Sequence, residues 1–190
     1  LFRSPMRGLL GDAKFREGFG ALDRLGLSFD AWLYHPQLTE LADLARAFPG
    51  VTIILDHIAG PLGIGTYSGK KEEVFELWKS GMDELATCPN VVIKLGGFGM
   101  PLGGFEWHKR DAPPSSQDIA DVMGPYYMHC IEKFGVDRCM FESNFPVDKV
   151  SSSYTVLWNS FKRMTSDFSA HDKAALFRDT AVRAYRLDQG

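Results

Sequence analysis

Short, continuous runs of apolar residues alternate along the chain with longer stretches in which apolar side chains recur every three or four positions. Continuous apolar runs are typical of buried parallel strands, and the wider spacing predicts helices that pack on a sheet. The predicted strands are 28–34, 51–55, 91–95 and 138–142. Because each is followed by a helical pattern, the sequence predicts a fold of the α/β class.

Capping and breaking residues set the helix boundaries. The first predicted helix begins after Asp12 and ends before Gly26, and the second begins at Pro36 and ends before Pro49. The later predicted helices are 71–87, 116–134 with a break or kink near Pro125, 154–164 and 171–185. The extra length of the chain lies in the loops after the strands, at the edge where parallel α/β folds build their sites.

Composition limits the kind of partner. The chain has 190 residues, 45% of them hydrophobic, so we expect one domain over residues 1–190. A net charge of −3 offers no basic field for nucleic acid or an anionic membrane, which favours a small-molecule partner. The three cysteines are an odd number without C-x-x-C spacing, and we expect buried thiols.

The sequence also gives expectations about the location of the protein and about its N-terminus. No apolar run approaches the roughly 20 residues that span a bilayer, and the first residues lack the core of a signal peptide. These features favour the cytoplasm. Since the chain begins with Leu1 rather than Met, we expect that residues upstream have been removed or left out of the sequence.

Polar side chains follow each predicted strand at the point where it stops. They lie in the segments Tyr34-His35-Pro36, Asp56-His57, Lys94-Leu-Gly-Gly97 and Glu142-Ser-Asn144. Imidazole and carboxylate groups are the usual ligands of a divalent ion that activates water, and one strand cannot supply enough of them. The sequence therefore predicts a site assembled from several strand ends.

Most of these residues also have a purely structural interpretation. His35 could serve as a turn or capping residue, and Lys94 could extend its stem to an exposed edge. Glu142 and Asn144 could bond only to the turn before Pro146. His57 has the stronger claim, because it follows an acid directly after an apolar strand, where polar groups need partners.

The remaining histidines and glycines carry less information. His108 lies in the longest loop, where it could contact substrate or be solvated. His129 and His171 lie in predicted helices and are expected at the surface or in packing. The segment 60–65 is rich in glycine but lacks the Lys-Ser/Thr ending of a phosphate-binding loop, so we reject that function.

Four motifs together resemble a known family. Leu27-Ser-Phe-Asp-Ala-Trp32, Ile53-Ile-Leu-Asp-His-Ile-Ala-Gly-Pro61, Val91-Val-Ile-Lys-Leu-Gly-Gly97 and Cys139-Met-Phe-Glu-Ser-Asn-Phe-Pro-Val147 follow one another in order. They resemble the C-terminal half of the TIM-barrel hydrolases of the amidohydrolase superfamily, in the amidohydrolase-2 branch with the fuconolactonases and pyrone-dicarboxylate lactonases. The resemblance implies the last four units of a (β/α)8 barrel.

The same resemblance implies hydrolysis of a lactone, or a related ester or amide, by activated water. Members of the branch differ in whether they hold a metal, so we expect either zinc or manganese or a metal-free site. The implied roles are metal or carbonyl contact by His57 and His35, oxyanion support by Lys94, positioning of water or substrate by Asn144, and substrate contact by His108 and Tyr34.

Two departures from the family pattern matter. Asn144 stands where the pattern has the aspartate that serves as general base, and an amide cannot accept that proton. Two expectations follow: either Glu142 or Asp148 substitutes as the base, or the chemistry differs from that of the family. The His-x-His pair of the family's first strand does not occur in this sequence.

A half-barrel leaves two strand edges open. The chain is therefore either part of a larger enzyme or a short form that pairs with itself, as a homo-oligomer, or with another chain. Two alternatives to a hydrolase remain at this point. One is a catalytically incomplete half-barrel that serves as an assembly or binding subunit, and the other is a small doubly wound binding domain, which would need a reversal of strand order.

Overall fold

The computed structural model describes residues 8–187, and in them four parallel strands form one sheet. The strands are β1 (Phe29–Ala31), β2 (Ile53–Leu55), β3 (Val91–Leu95) and β4 (Cys139–Phe141), in the spatial order β1-β2-β3-β4. The α/β prediction is confirmed. Because the order does not reverse within this sheet, the doubly wound alternative is wrong, and the winding is that of successive units of a (β/α)8 barrel.

Helices follow each strand, and one precedes the first. They are α1 (Ala13–Arg24), α2 (Leu38–Ala47), α3 (Lys71–Ala86), α4 (Ser116–Phe134), α5 (Tyr154–Met164), α6 (Ala170–Ala174) and α7 (Thr180–Tyr185). Asp12 caps α1 as predicted, accepting the amide of Phe15 at 2.9 Å. Helix α4 is not broken at Pro125, and a π-helical turn, Ala175–Asp179, joins α6 to α7.

The two faces of the sheet differ in chemistry. Residues paired in register share a face, and the row Ala31, Leu55, Ile93 and Cys139 is buried in the core beneath the helices. The intervening positions face the other way. That second face, called here the inner face, carries Asp30, Asp56, Lys94 and Glu142 among its residues.

Side-chain tethers hold the opposite, amino-terminal edge of the sheet. The Asn90 amide nitrogen, just before β3, lies 3.0–3.1 Å from three carbonyl oxygens, those of Ala45, Phe48 and Val51. Arg138, just before β4, donates to the carbonyl oxygens of Phe134, Cys88 and Ala86. The starts of β3 and β4 are thereby attached to the ends of neighbouring helices and turns.

The state of the cysteines and the apolarity of the helices were also expected from the sequence. Cys88, Cys130 and Cys139 are buried free thiols, as predicted. Within residues 8–187, none of the helices combines the length and the apolarity needed to cross a bilayer.

Candidate active site

His57 and Glu142 form a hydrogen-bonded pair at the carboxyl edge of the sheet. His57 Nδ1 contacts Glu142 Oε1, and both side chains are largely buried, at 15% and 17% exposure. A carboxylate at Nδ1 accepts a hydrogen bond from the Nδ1–H group, so the lone pair of the neutral ring lies on Nε2. The pair therefore presents His57 Nε2 as a base with a defined tautomer.

Two glycines make room for this pair. His57 follows β2 and Glu142 follows β4, so their contact passes over the end of β3, where Gly96 and Gly97 lie. A Cβ on Gly96 would lie 2.3 Å from Glu142 Cγ, and one on Gly97 would lie 2.4 Å from two atoms of the His57 ring. Since any side chain at either position would overlap the pair, the Gly-Gly end of β3 is a condition of the site.

His57 begins an unusual backbone segment. The φ angles of His57, Ile58 and Ala59 are 55°, 48° and 60°, so three successive residues with side chains take the left-handed conformation. This conformation costs about 1–2 kcal/mol per residue. The buried indole of Trp78 stabilises it by donating to the carbonyl oxygen of Ile58 at 2.7 Å. Trp32 also packs edge-on against the His57 ring, with 4.6 Å between centroids.

Asn144 and Asp148 form a second polar pair beyond β4. Asn144 Nδ2 donates to Asp148 Oδ1 at 2.8 Å, and the amide of Gly99 donates to Asp148 Oδ2 at 3.2 Å. Asp148 is 1% exposed, and burial raises the pKa of its carboxyl to about 6 although both hydrogen bonds act to lower it. The loop after β3 is thus joined to the loop after β4 through a buried carboxylate.

Lys94 lies on the inner face, between two carboxylates. Its ammonium nitrogen is 2.7 Å from Asp30 Oδ1 and 2.7 Å from Asp56 Oδ1, and the Tyr185 hydroxyl also donates to Asp30. Burial acts to lower the pKa of Lys94, but its hydrogen bonds outweigh burial and raise that pKa. Burial raises the pKa of Asp56, against the opposing effect of Lys94. A substrate oxygen would share this ammonium with two aspartates, and the oxyanion role of Lys94 stays a prediction.

His35 is buried at the entry to α2 rather than open to the sheet edge. It is 5% exposed, its Nδ1 accepts the amide of Leu62 at 3.3 Å, and its ring packs edge-on against Tyr67. Burial lowers the pKa of His35 to about 4, so the ring is neutral at physiological pH. Because Nδ1 accepts a hydrogen bond, the other nitrogen, Nε2, carries the hydrogen. The structure thus brings His57 and Glu142 together but gives His35 a different set of neighbours.

Tyr34 and His108, the other predicted substrate contacts, differ in their surroundings. Tyr34 packs edge-on against Trp32 at 5.5 Å, and Trp32 in turn touches His57. His108 is exposed in a short turn, Trp107–Lys109, whose buried Trp107 stacks on Phe105. Contact of either residue with substrate stays a prediction.

The described residues alone do not complete a site for a metal ion. In residues 8–187 no three His, Cys, Asp or Glu side chains lie close enough to hold one. His57 Nδ1 is engaged by Glu142, and His35 Nδ1 already accepts a backbone amide. The part of the chain that is described therefore supplies no complete metal site, and the predicted pairing of His57 with His35 as metal ligands stays a prediction.

Sequence reasoning missed several contributors to the site. The sequence patterns assign no role to Trp32 or Trp78, although the ring of Trp32 packs against His57 and the indole of Trp78 donates a hydrogen bond to Ile58. Asp30 and Tyr185 were missed as partners of Lys94. The single available signal was the period of two along the strands, which places Asp30, Asp56 and Lys94 on one face.

Comparison with known proteins identifies the family of this chain. The model of the amidohydrolase family matches residues 2–187. The chain belongs to the amidohydrolase family. A crystal structure of an amidohydrolase from Burkholderia multivorans with bound zinc superposes with a TM-score of 0.81 at 25% identity, covering 95% of this chain and 60% of that one. The resemblance inferred from four motifs is confirmed.

Curated relatives are longer than this member of the amidohydrolase family. The uncharacterized protein y4mH of Sinorhizobium fredii is 42% identical over 174 residues, and L-fucono-1,5-lactonase of Burkholderia multivorans is 25% identical over 187 residues. The two matches cover 92% and 98% of this chain but only 52% and 60% of the length of the two relatives. The four-stranded sheet thus corresponds to part of a barrel.

Proposed function

We propose that this amidohydrolase hydrolyses a lactone by water activated at His57. The observation that carries the proposal is the bond between His57 Nδ1 and Glu142, which leaves His57 Nε2 as proton acceptor at the carboxyl edge of the sheet. Position 144 lacks the carboxylate of the family pattern, and Glu142 does not take over the role of that carboxylate as the base. It does not take the proton from water itself but orients and stabilises the imidazole that does.

The steps follow from this arrangement. Water adds to the lactone carbonyl carbon while His57 Nε2 removes its proton, and Glu142 stabilises the resulting imidazolium. The tetrahedral intermediate then breaks its bond to the ring oxygen, which takes the proton back from Nε2. The product is the open hydroxy acid, and His57 returns to its neutral form.

The lactone class is supported by the relatives. One matched protein is named L-fucono-1,5-lactonase, and that match covers 98% of this chain, including the segments that carry His57 and Glu142. In this proposal Asn144 positions water or substrate, Lys94 supports the oxyanion, and Tyr34 and His108 contact substrate. Where the complete protein binds zinc or manganese, ligands from outside the described residues are required.

Hydrolysis of a lactone panel that includes L-fucono-1,5-lactone tests the proposal. Acid release is followed at constant pH, and the spontaneous rate is subtracted. We expect His57→Gln to lower kcat/KM by about 100-fold to 10,000-fold, the usual contribution of a general base. Glu142→Gln should lower it by about 10-fold to 100-fold, because it removes only the partner that orients the base.

His171→Gln is the matched control, because His171 is an exposed histidine whose side chain is 78% exposed beside Asp172. It should retain wild-type activity. Full activity of His57→Gln would overturn the assignment of the base. A folded complete protein that turns over none of the panel would instead favour the assembly or binding subunit.

A further inference from the structure

A buried carboxylate stands directly behind the amide at position 144. In the family pattern that this chain resembles, position 144 holds the catalytic aspartate, whereas here the carboxylate is four residues later, at Asp148. Asn144 takes a left-handed backbone, with φ at 51°, and its carbonyl oxygen accepts the amide of Asp148 at 3.1 Å. Backbone and side chain therefore join the same two residues.

The contact sets the orientation of the Asn144 amide. Asp148 Oδ1 can only accept when it is ionised, so the group facing it is the Nδ2 donor, at 2.8 Å. The planar amide then directs Oδ1 away from Asp148. In the part of the chain that the structure describes, no donor bonds to that Oδ1.

Asp148 is itself fixed from the other side. The amide of Gly99 donates to its second oxygen, and a Cβ on Gly99 would lie 2.9 Å from Asp148 Cγ. The hydroxyl of buried Ser151 donates to the carbonyl oxygen of Gly99. The carboxylate is held by the loop after β3 and has no freedom to turn into the site.

We propose that Asp148 is a positioning residue that fixes Asn144 in one amide orientation, so that position 144 presents a neutral oxygen acceptor to the hydrolytic site. The inference rests on the proposed function, since the acceptor serves to orient the attacking water or a substrate hydroxyl. Asp148 does not touch the reacting atoms and acts only through Asn144.

The orientation depends on the ionisation of Asp148. When Asp148 is protonated, one of its oxygens becomes a hydrogen-bond donor. The Asn144 amide can then form an equally favourable hydrogen bond by turning its Oδ1 toward Asp148. Besides Asn144 and Gly99, the groups whose charge or dipole reaches Asp148 are His57, Glu142 and the phenol of Tyr127 on α4. His57 is the imidazole among these groups, and the experiment must separate its effect on Asn144 from that of Asp148.

Side-chain amide NMR of the chain labelled with ¹⁵N-asparagine separates them. The sequence has three asparagines, at positions 90, 144 and 159, so the spectrum is simple. We expect the Asn144 NH₂ signals to shift with a midpoint near pH 6 in the wild type and in His57→Gln, and to lose that transition in Asp148→Asn. Asn90, bonded to three backbone carbonyls, is the internal control and should not move.

Kinetic measurements distinguish a role of Asp148 in positioning Asn144 from a role only in holding the loop. On a lactone that the wild type hydrolyses, Asp148→Asn should lower kcat about tenfold with KM unchanged and abolish the acid limb near pH 6. Ser151→Ala, which loosens the same loop without touching Asn144, should keep that limb. An Asn144 signal that does not titrate, or an acid limb that survives in Asp148→Asn, would overturn the proposal. If the signal titrates as expected and no lactone is hydrolysed, the proposed function fails while the orientation of Asn144 stands.

Discussion

Gly97 lies against the imidazole of His57, so closely that a Cβ on Gly97 would be 2.4 Å from both Cγ and Nδ1 of the ring. The same nitrogen bonds to Glu142. The end of β3 thus supplies no reacting group to the pair, yet it decides whether the pair forms.

Gly97→Ala should therefore remove most of the activity. The added methyl group displaces the His57 ring, and the φ angle of +72° adds the cost of a left-handed alanine, about 1–2 kcal/mol. We expect a loss of at least about 100-fold in kcat/KM, the effect of moving a catalytic group by roughly 1 Å. Lactone hydrolysis and the free energy of unfolding measure the two effects.

Gly69→Ala is the matched control. Its φ angle is +74°, and a Cβ there would meet nothing within 4 Å. It should show a similar backbone cost and full activity. Equal activity losses in the two variants would show that the contact with His57 is unimportant.

Trp78→Phe should loosen the left-handed segment after β2. The change removes the indole donor to the Ile58 carbonyl oxygen and should cost about 1–3 kcal/mol of unfolding free energy, the price of an unpaired buried acceptor. The amide of Gly60, which donates to the His57 carbonyl oxygen at 2.9 Å, should exchange its hydrogen faster.

Trp158→Phe provides the comparison for that variant. The Trp158 indole nitrogen is buried and has no hydrogen-bond partner within the described residues. Its loss should cost less than the loss of the Trp78 donor. A larger effect of Trp158→Phe in urea unfolding would contradict the role given to the Ile58 contact.

Lys94→Met should destabilise the protein by about 2–3 kcal/mol, because it leaves Asp56, a half-buried carboxylate, without its cation. The pKa of Asp56, already raised by burial, should rise further. A raised carboxyl pKa makes folding less favourable as pH rises through it, so the loss should be greater at pH 8 than at pH 4.5. Lys79→Met, which removes an exposed pair with Glu76, should cost about 0.5 kcal/mol or less. Equal losses in the two variants would mean that the Lys94 pairs contribute no more than surface contacts.

The pKa of about 6 at Asp148 gives a fourth prediction. Its folded pKa lies above the unfolded value, so the folded state binds the proton more tightly, and stability falls as pH rises from about 4 to 6. Two pKa units correspond to about 3 kcal/mol. The free energy of unfolding of Asp148→Asn, minus that of the wild type, should therefore increase from pH 4 to pH 7. A constant difference would mean that burial does not raise this pKa.

Much of the fold could be predicted from the sequence, because strands and helices here carry their own periodicities and caps. The C-terminal end of β1 was harder to predict from the sequence. The apolar and aromatic pattern predicted a strand over 28–34, but β1 ends at Ala31, and the chain turns into a short helical turn at His35–Gln37. Burial of Leu33 and His35 beside α2 and α3 continues the apolar pattern beyond the last ladder bond.

The site was predicted only in outline. Parallel topology placed His57 and Glu142 at one edge, since strand ends meet there, but their contact depends on the left-handed conformation at His57. Nothing in the sequence predicts that conformation, because Ile58 is β-branched and disfavours it. The four-residue spacing of Asn144 and Asp148 was visible, yet the burial of Asp148 depends on the loop after β3.

The tethers at Asn90 and Arg138 lie at the edge of the sheet opposite His57. They anchor the strand starts through backbone carbonyls, which every residue type supplies, so they place little demand on the sequence of the loops at the other edge. Because the two edges are separate, substitutions in the loops at the carboxyl edge leave the tethers at the amino-terminal edge intact. The loops at the carboxyl edge can therefore change in sequence while the anchoring contacts at the amino-terminal edge stay the same.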